Sequence, residues 1–182
     1  MRTADVLRTA LGGVAVLALA TGCGSNVDGA APTTGATESR GDVQVFNPCS
    51  QLSDEALRAI GLDPLAKSVT TDPPQGPSAW RICGWYPPEH KYKVDVMSSS
   101  HTLAETRANN KIAILREITI GARNGVVSRD KSDTQGDSCY ASFPAEQGMF
   151  EIAVGWESEA RKPDLCELAV KHAQALEPIL PK

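Results

Sequence analysis

Aromatic residues make up only 5% of the 182-residue chain, and no apolar run reaches the length of a membrane span. The longest, Leu11 to Ala20, is about half of the roughly 20 residues that a spanning helix needs. Nor is there an excess of positive charge. With 18 Lys+Arg against 22 Asp+Glu and a net charge of -4, the chain lacks the basic footprint that nucleic-acid phosphates call for. No two of the five cysteines stand at C-x₂₋₄-C spacing, which leaves out a zinc-gripping loop and a C-x-x-C redox pair. G-x-S-x-G, H-E-x-x-H and a lysine-bearing phosphate loop are missing as well. The 12 Pro and 15 Gly do not amount to a disordered composition. What is left is one globular domain with something attached in front.

The front reads as an export signal over residues 1–22, with Arg2 and Arg8 before the apolar run. Leu19-Ala20-Thr21-Gly22 ahead of Cys23 resembles a bacterial lipobox, in which the cysteine receives a diacylglyceryl group before cleavage. Cys23 is therefore the expected lipidation site, and palmitate-type acyl chains there are the expected membrane anchor. Two or more chains give stable attachment, at about 0.8 kcal/mol per buried CH₂. Residues 23–42 form the lipidated end and a flexible tether. GSNVDGAAPTTGATESRG is too poor in apolar side chains to offset its ordering entropy. Its root-mean-square reach is roughly 23 Å.

Residues 43–182 are then the folded domain, with four cysteines: Cys49, Cys83, Cys139 and Cys166. An even number in an exported chain implies two disulfides, with three pairings open. Cys49–Cys83 with Cys139–Cys166 is favoured, because each pair joins neighbouring elements. Each bridge is worth about 3–4 kcal/mol on the loop-entropy scale.

Ser53 predicts a helix N-cap, with Leu52 and Leu57 as a hydrophobic staple and Gly61 beyond the end. Trp80 to Tyr86 and Tyr92 to Val96 alternate faces and predict a hairpin. Thr102-x-x-Glu105 opens a helix of about ten residues. Strands are expected at 117–121 and 125–129, with Asn124-Gly125 as the turn between them. Cys139, Ala141 and Phe143 mark the next strand, and Phe150, Ile152, Val154 and Trp156 mark a central one. Leu165, Leu168, Ala169, His172 and Leu176 lie on one face of a closing helix that starts at Pro163. The fold class is α+β: a twisted antiparallel sheet of about five strands, helices packed on one face, and two disulfides.

The Cys23 lipobox, the short tether, Phe46-Asn47-Pro48-Cys49, Cys83-Gly84-Trp85, the Cys139 strand and the Cys166 helix ending in Ile179-Leu180-Pro181 form one set. On these residues the chain resembles the actinobacterial lipoproteins of the domain-of-unknown-function 3558 family over most of 44–181. The resemblance implies a cell-envelope lipoprotein of a high-GC Gram-positive organism. It carries no activity and no catalytic residue to transfer.

The chemistry-bearing residues are sparse. Ser98-Ser99-Ser100-His101 reads as a solvated turn, and His172 as a core histidine with its nitrogens satisfied. Asp130, Asp133 and Asp137 miss the ligand alternation of a calcium loop. No catalytic set, cofactor or metal site is expected. Arg107, Lys111, Arg116, Arg123, Arg129 and Lys131 are a candidate patch for an anionic partner, since only Glu117 and Asp130 oppose them in that window. Trp80, Trp85, Tyr86 and Tyr92 gather on one hairpin. The expectation is a lipid-anchored binding or adaptor module on the extracytoplasmic face of the membrane, meeting an envelope protein, glycan or lipid. A carrier of a lipid or small hydrophobic ligand is the alternative, and a small cell-wall hydrolase comes after it.

Overall fold

The computed structural model describes residues 43–74, 76–157, 159 and 163–182. The export signal, Cys23 and the tether lie outside the described residues.

Asn47 caps a first short helix, α1 (Pro48–Gln51), by accepting from Cys49 N, and proline at the first helical position suits the turn. Ser53 caps α2 (Asp54–Ala59) by accepting from Ala56 N, and Leu52 and Leu57 are both buried, as a staple requires. Gly61 leaves α2 at φ 81°, a conformation that costs glycine nothing.

Among the described residues seven strands follow, not about five. They are β1 (Lys67–Thr71), β2 (Trp80–Trp85), β3 (Tyr92–Ser99), β4 (Ile112–Ile120), β5 (Arg123–Asp130), β6 (Ser138–Ala145) and β7 (Gly148–Trp156). They form one antiparallel sheet in the order β1-β2-β3-β7-β6-β5-β4. β7 is central, as its apolar alternation implied. The helix capped by Thr102 is α3 (Leu103–Ala108), six residues rather than about ten, because Asn109 takes an extended conformation and ends it. The freed residues lengthen β4 at its front. Asn124-Gly125 is not the turn either: it lies inside β5, and Gly121-Ala122 makes the two-residue connection with Gly121 at φ 58°.

Register sorts the side chains onto two faces. Val94, Val154 and Cys139 stand side by side across β3, β7 and β6, as do Val96, Ile152 and Ala141. Against this face packs α4 (Leu165–Leu176), capped by Asp164 rather than begun at Pro163, and burying Leu165, Leu168, Ala169, His172, Ala173 and Leu176. Each buried leucine contributes roughly 1.5–3 kcal/mol. The opposite face carries Asp95, Met97, Glu151 and Ser142. Here the expectation of helices on one face is corrected. On this side the Thr106 hydroxyl of α3 reaches Met149 Sδ at 3.3 Å, and Arg107 grips Glu117. Short, polar α3 gains its hold from a capping box and an ion pair, not from an apolar stripe.

Disulfides join Cys49 to Cys83 and Cys139 to Cys166, with Cα–Cα distances of 5.2 and 5.0 Å. The first fastens α1 to β2, the second α4 to β6. Among the described residues no helix is long and apolar enough to cross a membrane.

Candidate functional site

The six basic residues of the 107–131 window do not come together. Arg107 makes a bidentate pair with Glu117 on the α3 face of the sheet. Arg116 reaches across to Glu167 of α4 at 2.6 Å, on the other face. Arg123 is buried: it meets Glu177 at 3.2 Å, donates to the carbonyls of Pro144 and Pro181, and lies 5.4 Å over the Phe143 ring. It is a clasp for the C-terminal segment. The Lys182 ammonium, then Arg123, hold the Glu177 carboxyl below the usual carboxylate range. Lys111 and Lys131 stand together at the far end of the β4–β5 hairpin, beside Asp130, with Lys131 Nζ donating to Asn110 O at 2.8 Å. Arg129 is half-buried beside Gly136. A strand of eight residues, about 26 Å, separates Arg123 from Lys131.

The hairpin aromatics also part company. Trp85 is in the core at 1% exposure. Trp80 sits 5.7 Å from the His101 ring, and Tyr86 stacks on His90 at 5.2 Å. Tyr92 turns toward α4.

That turn builds the recess with the most chemistry. The Pro87-Pro88 bend after β2 faces the first turns of α4, leaving a cleft of about 410 Å³ lined by Pro87, Pro88, Glu89, Lys91, Tyr92, Pro163, Leu168 and Lys171. Glu89 and Lys91 form an ion pair, which holds the Glu89 carboxyl below its ordinary value. Lys171 is exposed on the helix side. Tyr92 Oη lies 3.3 Å from His172 Nε2, across 80 residues of sequence. His172 is 2% exposed, and its Nδ1 has no partner, so only one of its two nitrogens is satisfied. Burial, reinforced by the nearby Lys171 charge, pushes the His172 pKa down to about 4, and the ring is neutral at pH 7. Burial, and then the charge of Glu89, raise that of Tyr92, which keeps its hydroxyl proton.

Other recesses are more open, among them one of about 540 Å³ beside Arg107, Glu117 and Asn124. One of about 660 Å³ lies between Gln44–Phe46 and Ile179–Pro181, where Gln147 accepts from Phe46 N at 2.7 Å and donates to Ser98 Oγ at 2.6 Å. A further one, about 600 Å³, is the Lys111–Lys131 corner. Among the described residues no group of three His, Cys, Asp or Glu is placed to hold a metal ion.

The Tyr92–His172 contact went unread in the sequence. Periodicity placed His172 on the buried face of the last helix and Tyr92 at the start of a strand. No motif links residues so far apart.

A family model described as a protein of unknown function, DUF3558, matches residues 18–178. No curated protein and no solved structure matches the chain.

Proposed function

The chain belongs to the DUF3558 family of proteins of unknown function, and from that premise we propose that it is a non-catalytic binding module of the cell envelope, anchored on the extracytoplasmic face of the membrane through acyl chains on Cys23. The observation that carries the binding role is the cleft between the Pro87-Pro88 bend and α4. Its volume of about 410 Å³ falls within the roughly 300–1,000 Å³ of small-molecule sites. It is preformed, because the Cys139–Cys166 bridge and the Asp164 cap fix the helix that makes one wall. The lipobox ahead of Cys23 and the polar stretch behind it support display from a membrane at the end of a tether.

The experiment pairs fractionation with photo-crosslinking in cells. The wild type is expected in the membrane fraction, and residues 24–182 exported behind a signal peptide that lacks a lipobox are expected in the soluble fraction, folded. Continued sedimentation of that lipid-free form would show that the lipid is not the anchor. A photoreactive residue at position 171, on the cleft rim, is expected to capture a molecule that one at exposed position 55 of α2 does not. Equal capture from both would remove the cleft as the site.

A further inference from the structure

The tyrosine–histidine pair at the cleft leaves one proton over. A neutral imidazole carries a single N–H, and a tyrosine hydroxyl both donates and accepts. If the histidine proton sat on Nδ1, an N–H would be buried with nothing to accept it, the rarer and costlier kind of orphan. On Nε2 it donates to Tyr92 Oη at 3.3 Å, and Nδ1 keeps only a bare lone pair. The second arrangement is favoured. In it the hydroxyl of Tyr92 has accepted from His172, and its own proton is unused.

Tyr92 lines the cleft, so that proton is available to an acceptor there. The charge on the walls fits an anion. Lys91 is paired with Glu89, whose charge still reaches Tyr92, and with Lys171 on the same lining the three charges sum to +1. Pro87, Pro88, Pro163 and Leu168 supply an apolar surface beside these two donors. We propose that the cleft takes the carboxylate of a small amphipathic acid, which accepts from Tyr92 Oη and pairs with Lys171 Nζ while its apolar body lies on the three prolines and Leu168. The inference rests on the binding-module reading and names the ligand class for the same site.

The test is titration of the full chain carrying Cys23→Ala with octanoate and with octan-1-ol, followed by amide and histidine nitrogen NMR. Octanoate is expected to move the signals of residues 87–92 and 168–172, with the alcohol at least tenfold weaker. Tyr92→Phe and Lys171→Gln are each expected to weaken octanoate about tenfold, in the range of a hydrogen bond to a charged group, and to leave the alcohol unchanged. Lys171 is exposed, so its variant keeps the fold if Tyr92→Phe does not. The His172 nitrogen shifts are expected to place the proton on Nε2. Equal binding of acid and alcohol, an affinity indifferent to Lys171→Gln, or a proton on Nδ1 would each overturn the proposal. If neither probe touches the cleft while position 171 still captures a partner in cells, the carboxylate inference falls and the module reading stands.

Discussion

Glu151 and His172 are buried acid and buried base, and pH acts on them in opposite senses. Glu151 lies between Met97 and Ser142 in register, and its Oε2 accepts from Ser142 Oγ at 2.6 Å. Burial outweighs that bond and raises its pKa. A carboxyl raised by folding stabilises below its unfolded value and loses that contribution as pH climbs through the folded one. His172, with its pKa near 4 in the fold against 6.5 outside, costs stability as pH falls from 6.5 toward 4. Glu151→Gln keeps a partner for Ser142 and removes the charge. It is expected to raise the melting temperature at pH 7 by a few degrees and to change little near pH 4, where the wild-type carboxyl is mostly protonated in both states. The acid limb due to His172 should persist in the variant. Thermal melts from pH 4 to 8 check this, and parallel curves for the two proteins would reject the assignment.

At the scale of the element, legibility followed burial. β7 and α4 face one core, so Phe150, Ile152 and Val154 alternate, Leu165, Leu168 and Leu176 recur along one helical face, and both elements could be read directly. β1 could not, because Lys67-Ser-Val-Thr-Thr is an edge strand with no buried residue to set a period. The front of β4 was hidden behind a helix signal that the capping box started and Asn109 stopped. The cleft was illegible for another reason: its Tyr92–His172 contact is made by topology, between a strand and a helix that the sheet brings together. The β6–β7 hairpin offers a test at this scale. Gly148 sits at φ 142°, and a Cβ there would stand 2.5 Å from Ser99 O and 2.6 Å from His101 O. Both obstacles are backbone, held by β3 on one side and the α3 cap on the other, so neither can swing away. Gly148→Ala is expected to cost more than about 3 kcal/mol in chemical denaturation. A loss within a few tenths of a kcal/mol would mean that the β3 exit segment is softer than its hydrogen bonds imply.

Over the whole molecule, the two disulfides hold helices of unequal consequence. They close loops of similar length, 34 and 27 residues, so loop entropy assigns each about 3–4 kcal/mol. The native contacts differ. α1 buries Pro48 and Cys49, whereas α4 buries seven residues and walls the cleft. Replacing Cys49 and Cys83 by alanine should therefore lower global stability while α4 amides still exchange through whole-molecule unfolding. Replacing Cys139 and Cys166 should cost a similar amount globally and add a local opening in which α4 amides exchange faster than those of β7. Native-state hydrogen exchange separates the two, and identical α4 protection in both variants would show that packing alone holds the helix. The distinction bears on function, because an α4 that opens takes Leu168, Lys171 and the His172 partner of Tyr92 with it. The cleft then depends on the Cys139–Cys166 bridge, and so on the oxidising surroundings in which that bridge forms.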